Sequence, residues 1–200
     1  MTINIGLLGA GRIGLTHARA VSGIAAARIA AVFDPDDAAA RAAVEITGAR
    51  RATIDEIMAD QAISAVMICT PTDLHADQVE MAARAGKAIF CEKPIDLEVA
   101  RVRACLDVVA RTGARLMIGF NRRFDSEFKA LRAQIEAGSV GEIELVQITS
   151  RDHAPPPIDY IRRSGGIFRD MVIHDLDMAR FLVGEEFVEV FATGSVLIDP

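Results

Sequence analysis

The chain has 200 residues, of which 51% are hydrophobic and 25% charged, with a formal net charge of −6. That balance is globular and excludes a disordered chain. The acidic surplus argues against nucleic acid or an anionic membrane surface as partner, because both select basic surfaces. Cysteines at 69, 91 and 105 are odd in number, lack metal-ligand spacing and read as buried, reduced thiols. The N-terminus has neither the basic flank and apolar core of a signal peptide nor a transit-peptide composition. No run reaches the roughly 18 apolar residues of a membrane span. A soluble, cytoplasmic protein is expected.

The first two-thirds of the chain alternates strand-like and helix-like segments. Ile3–Leu8 is an apolar run followed by a helical segment at Ile13–Val21, and Ile29–Phe33 is followed by an alanine-rich helical stretch at Asp36–Ile46. Thr53 and Glu56 have the spacing of a capping box that opens a short helix through Met58. Ala65–Cys69 is a third strand, Asp77–Arg84 a helix, Ala88–Cys91 a fourth strand, Asp96–Arg111 a longer helix and Leu116–Phe120 another strand. Apolar strands separated by helices predict a doubly wound parallel sheet covered on both faces, an α/β Rossmann-type unit over residues 1–120.

After residue 120 the pattern changes. Phe124–Ala137 reads as a helix, Glu142–Ser150 alternates like a half-buried antiparallel strand, and 151–157 is a proline-rich loop. Gly166–Val183 reads as a helix and Phe187–Ile198 as a long strand. One or two strands and two helices make a thin second domain, so residues 121–200 are expected to be a truncated α/β domain.

Gly9-Ala10-Gly11-Arg12-Ile13-Gly14 follows the first strand and opens the first helix. In this pattern the first glycine permits a tight turn, the second admits a pyrophosphate to the backbone and the third lets helix and strand pack closely. The N–H groups and positive dipole end of the helix then face the phosphates. Asp34 ends the second strand twenty residues after Gly14, where a ribose-binding carboxylate is expected. A carboxylate there repels a 2′-phosphate, and no arginine stands nearby to receive one, so NAD is favoured over NADP.

Glu92-Lys93-Pro94 lies at the carboxyl end of a strand, where such sheets bind ligands. The chain has only three lysines, at 87, 93 and 129, against nineteen arginines. Lysine, unlike arginine, exchanges its proton readily; the alternative is a surface ion pair with Glu92. Asp170 and His174 stand four apart on the later helix, with Asp177 beyond. That spacing suits a general base beside a carboxylate, a metal site, or a polar helix face carrying an ion pair. His75 follows a strand end and lines the crevice by the same argument, whereas His17 and His153 carry no chemistry on spacing alone. The Arg122-Arg123 pair reads either as a polyol contact or as an interdomain salt bridge.

Taken together, Gly9-x-Gly11-x-x-Gly14, Cys69-Thr70-Pro71-Thr72 with His75, Glu92-Lys93-Pro94 and Asp170-x-x-x-His174 resemble the oxidoreductase family of glucose–fructose oxidoreductase and inositol dehydrogenase, the Gfo/Idh/MocA-like family. The loop 151–157 and the segment 164–171 look most like its bacterial inositol-oxidising members, although His153 stands where proline is usual in these. The resemblance implies a Rossmann domain followed by an α/β domain with a mostly antiparallel sheet, here cut short because family members run well beyond residue 200. It implies NAD-dependent oxidation of myo-inositol to 2-inosose, or of another inositol isomer or a pyranose sugar, in a homotetramer without a metal. A different class, a non-catalytic NAD-binding module, stays open. By the same resemblance Lys93, Asp170 and His174 form a catalytic triad. His174 would be the general base, Lys93 would bond the reacting oxygen and Asp170 would orient His174. The three glycines, Ala10, Arg12, Ile13, Asp34, Thr70, His75, Glu92 and Lys93 would line the cofactor, and Arg122 and Asp152, with Asp170 and His174, the substrate.

Overall fold

The structure, a computed structural model, describes residues 2–154 and 156–195. Six strands, β1 (Ile3–Leu8), β2 (Ala27–Phe33), β3 (Arg50–Arg51), β4 (Ala65–Ile68), β5 (Ala88–Cys91) and β6 (Leu116–Ile118), form one sheet in the order β3-β2-β1-β4-β5-β6. Every pairing in it is parallel. The crossovers are α1 (Arg12–Ser22), α2 (Asp37–Thr47), α3 (Ile54–Ala59), α4 (His75–Arg84) and α5 (Val99–Thr112). The doubly wound sheet and its strands agree with the sequence pattern. The exception is the two-residue edge strand β3, whose arginines show no apolar run.

Local chemistry sets the helix ends. The Asp36 carboxylate caps α2 by accepting from the N–H groups of Ala38 and Ala39. The Thr53–Glu56 capping box of α3 is complete, with both reciprocal bonds formed. Apolar side chains fill both faces of the sheet. One cluster joins Leu8, Ile57, Val66, Ile68, Val79, Ile89 and Val108, and a second joins Leu7, Ala18, Val21, Ile29, Val32 and Ala43. Cys69, Cys91 and Cys105 are free and buried, as expected for reduced thiols.

Beyond β6 a 3-10 turn (Asn121–Phe124) leads into α6 (Ser126–Glu136). Helix α7 (Ile158–Ser164) follows the proline-rich loop, a helix that sequence patterning does not show. The predicted helix from Gly166 is interrupted by a π turn at Phe168–Val172 and continues as α8 (Ile173–Val183).

Two strand expectations fail. Glu142–Ser150 runs without strand pairing, and Phe187–Ile198 forms no strand through residue 195, the remainder lying outside the described residues. The expected antiparallel sheet is therefore not formed among the described residues, whose only sheet is parallel. The physical reason is that alternation creates a strand only where a neighbour satisfies its backbone groups. Here no described strand lies beside either segment, and Leu145 and Phe191 are 83% and 90% exposed. Instead, residues 140–149 border a hollow of about 560 Å³ against Phe128, Leu131, Met178 and Leu182. No helix among the described residues is long and apolar enough to cross a membrane.

Ile57 is fully buried and packs on Gly6, where an added Cβ would come within 2.4 Å of it. Ile57→Ala is expected to lower the unfolding free energy by about 3 kcal/mol, read from the urea midpoint. Val99→Ala, at a position 65% exposed, should stay within about 0.5 kcal/mol.

Candidate active site

A doubly wound sheet binds its ligand outside the carboxyl ends of the strands, where the order reverses; here that point lies between β1 and β4. Gly9, with φ +88°, turns the chain there, and a Cβ on it would stand 2.6 Å from the Cys69 backbone. A Cβ on Gly14 would lie 2.1 Å from the Gly9 carbonyl oxygen, so α1 approaches the turn as closely as backbone allows. Gly11 faces open space. Helix α1 starts at Gly11 with no side-chain cap and no acidic residue in its first turn, which leaves its donors available for an anion. Arg12 and Ile13 are exposed at this helix start, while Ala10 is buried. Asp34 accepts the Ala10 N–H at 2.6 Å through one oxygen and the Asp36 N–H at 2.8 Å through the other, so it braces the glycine turn. An open anion cradle beside a carboxylate just past β2 fits a dinucleotide.

The other strand ends meet the same crevice. Thr70 follows β4, and its hydroxyl donates to Gln78 at 2.7 Å. His75 is 2% exposed, with its ring nitrogens 2.7 Å from the carbonyl oxygens of Thr70 and Pro94. Its imidazole thus joins the loops after β4 and β5. Glu92 pairs with His17 of α1 at 2.6 Å, and the His17 ring meets Phe90 edge-on. The pairing of His17 is not visible in sequence, because its partner lies 75 positions away.

Lys93 reaches across to the segment beyond α7. Its Nζ donates to Oδ1 of Asp170 at 2.8 Å and to the Asp170 main-chain carbonyl at 2.6 Å. Both side chains are largely buried, 15% and 23% exposed. Tyr160 of α7 donates its hydroxyl to the same Oδ1 at 2.9 Å. No hydrogen bond joins Asp170 to His174, contrary to the expectation that the carboxylate orients the imidazole. Asp170 lies in the π turn, and its carboxylate is engaged by Lys93 and Tyr160 instead.

His174 packs edge-on against Phe120, and its buried Nδ1 has no hydrogen-bond partner among the described residues. Burial first, then the charges of Lys93 and Arg122, hold its pKa below the ordinary histidine value, against a weaker opposite pull from Asp170 and Glu92. The ring is therefore neutral near pH 7 and able to accept a proton.

Arg122 and Arg123 both form salt bridges to α8. Arg122 pairs with Asp175, which also accepts from the Ser150 hydroxyl at 2.6 Å. Arg123 holds Asp177 through two bonds of 2.7 Å. Asp152 is exposed in its loop, and no hydrogen bond joins it to Lys93, Asp170 or His174. Sequence reasoning missed Tyr160, His17 and Asp175. Of these, only His17 carried a signal, one helical turn after Gly14 on the helix that opens the crevice. Burial raises the thiols of Cys69, Cys91 and Cys105, so none is an activated nucleophile.

Residues 3–120 match the GFO/IDH/MocA oxidoreductase family, described as an NAD-binding Rossmann fold, and residues 128–200 match the GFO/IDH/MocA C-terminal domain. The chain is 64% identical over 199 residues to inositol 2-dehydrogenase of Rhizobium meliloti, covering 100% of this chain and 60% of that protein. It is 45% identical to myo-inositol 2-dehydrogenase of Thermotoga maritima, covering 98% and 60% of the two chains. Among solved structures, scyllo-inositol dehydrogenase from Lactobacillus casei with bound NAD(H) and scyllo-inositol superposes with a TM-score of 0.83 at 32% identity, covering 93% of this chain and 57% of that one. The chain spans about 60% of the length of the curated relatives it matches.

The glycine turn supplies a direct test. In Gly14→Ala the added methyl collides with the Gly9 carbonyl; NADH affinity, read by nucleotide fluorescence, should fall by about tenfold or more while the far-ultraviolet spectrum is retained.

Proposed function

The chain belongs to the GFO/IDH/MocA oxidoreductase family, and we propose that it carries the cofactor-binding and proton-transfer machinery of an NAD-dependent polyol dehydrogenase that oxidises myo-inositol to 2-inosose. The observation that carries this reading is the Lys93–Asp170 pair at the carboxyl end of β5, with a neutral His174 on the following helix. The 64% identical relative is an inositol 2-dehydrogenase, which supports the choice of substrate.

Gly9, Ala10, Gly11, Arg12, Ile13 and Gly14 would hold the pyrophosphate. Asp34 would take the ribose hydroxyls, and Thr70 and Glu92 would border the nicotinamide end. His75 would act there through the loops it joins rather than by contact, since both ring nitrogens are engaged. When bound, NAD supplies a hydride acceptor for the carbinol carbon. His174 takes the proton of the reacting hydroxyl, a role suited to an imidazole kept neutral by burial and two cations. The Lys93 ammonium donates to the oxygen as it gains negative charge, which lowers the barrier electrostatically. Asp170 holds Lys93 in that direction and offers its second oxygen to a neighbouring substrate hydroxyl. Arg122 borders the same space through its pairing with Asp175, and Asp152 would close on the polyol from its loop.

We also infer two units, residues 1–120 and 121–200, in line with the two family matches. In the second, Glu142–Ser150 and the stretch from Phe187 would join a mostly antiparallel sheet in a chain as long as the relatives it matches. Their exposed apolar side chains support this. A cytoplasmic homotetramer is the assembly this reading implies.

The test is NADH formation with NAD, myo-inositol, scyllo-inositol and a panel of sugars. Turnover with myo-inositol and weak turnover with NADP are expected; confirmed NAD binding with no turnover, also in a longer form, would select a binding module instead. His174→Ala should lower kcat by about a hundredfold or more and leave NAD affinity unchanged. Because the imidazole must be neutral to accept the proton, kcat/KM should fall as pH drops through a midpoint below about 6.5. Arg122→Gln removes one of the cations that disfavour imidazolium, so that midpoint should rise.

A further inference from the structure

Tyr160 is the chain's only tyrosine and stands on α7, outside every motif that points to the site. The residue is 46% exposed, yet its hydroxyl lies 2.9 Å from Oδ1 of Asp170, the oxygen that also accepts Lys93 at 2.8 Å. A carboxylate oxygen accepts along two in-plane directions. With a phenol and an ammonium both on Oδ1, that oxygen is filled and the plane of the carboxylate is set. Among the described residues Oδ2 accepts no hydrogen bond, which leaves it as the free acceptor.

We propose that Tyr160 is a positioning residue of this site: its hydroxyl fixes the Asp170 carboxylate, and through it the direction in which Lys93 is presented and the oxygen offered to substrate. The contact stands independently of the reaction; its effect on turnover rests on the dehydrogenase reading above. Burial, the hydrogen bond to Asp170 and its negative charge push the phenol up to about 12, against a smaller opposite pull from Arg12 at the start of α1. At neutral pH the hydroxyl therefore stays a donor and gives up no proton, which separates it from the acid–base role of His174. The helix at Ile158–Ser164 thus supplies an alignment device for a lysine that stands 67 positions earlier in the chain.

The composition makes the test clean. With only three lysines, protein labelled with 13C at lysine Cε gives three signals. Lys87, buried and bonded to the carbonyl oxygens of Asp60 and Ile63, serves as an internal control of the fold. Tyr160→Phe removes one oxygen and should move the Lys93 signal while leaving Lys87 in place. Because the protein has one tyrosine and no tryptophan, phenolate absorbance reports Tyr160 alone. Its midpoint should drop from about 12 toward the ordinary value of about 10 in Asp170→Asn. In turnover, Tyr160→Phe should lower kcat on myo-inositol about tenfold, the worth of a hydrogen bond to a charged group, with the KM for NAD unchanged. It should also narrow the preference between myo- and scyllo-inositol. An unmoved Lys93 signal overturns the proposal, as does a phenol indifferent to Asp170→Asn. A Lys87 signal that moves as well also overturns it, because the hydroxyl would then support the fold instead. If both spectroscopic results appear but the wild-type chain oxidises no polyol, the dehydrogenase reading fails and the positioning role stands.

Discussion

The ion pair between Lys93 and Asp170 is the contact on which the rest of the site depends. Its partners come from a strand end and from a π turn 77 positions later, and they meet largely out of water. In such a place the desolvation of each charge is repaid only by the other and by additional hydrogen bonds. The main-chain carbonyl of Asp170 and the Tyr160 hydroxyl provide those bonds. Lys93 also helps set the protonation of His174, since a fixed cation beside an imidazole disfavours a second positive charge. One pair therefore ties the loop after β5 to the π turn and adds, through Lys93, to the effect of burial on His174.

Carboxylate partners restrain the remaining cations of this region. Arg122 and Arg123 pair with Asp175 and Asp177, and the Arg132 guanidinium donates to the carbonyl oxygens of Phe181 and Leu182 near the end of α8. A cation at a helix C-terminus satisfies carbonyl groups that have no intrahelical donor and complements the dipole. Helix α8, which carries His174, is thus held at both ends against the segment from Asn121 through α6. At the opposite wall, α1 presents uncapped N–H groups, and the carboxylate of Asp34 braces the turn before it. The crevice presents uncapped helix donors at the start of α1 and carries a buried, neutral imidazole at His174.

The Rossmann half was legible because each of its signals is local. The glycine spacing, the capping box at Thr53, the apolar strand runs and the aspartate past β2 each state a backbone requirement within a few residues, and the sheet obeys them. Legibility failed where a feature needs a distant partner. Glu142–Ser150 has the alternation of a strand, but alternation specifies a face and leaves open which chain pairs with it. Helix α7 was hidden behind prolines, and the π turn left no mark in a segment that reads as continuous helix. The four-residue spacing of Asp170 and His174 suggests that one orients the other, whereas the carboxylate bonds to Lys93, 77 positions away.

The sequence by itself determined the succession of strands and helices, the glycine turn and the aspartate past β2, because these follow from local backbone geometry and residue type. Only the tertiary structure decided which side chains bond to each other. It joined Lys93 and Tyr160 on one oxygen of Asp170, matched His17 to Glu92, buried His75 between two loops and bound the paired arginines to α8. The physical reason is that a charged or hydrogen-bonding side chain takes whichever partner packing brings within about 3 Å, and separation along the chain does not enter that choice.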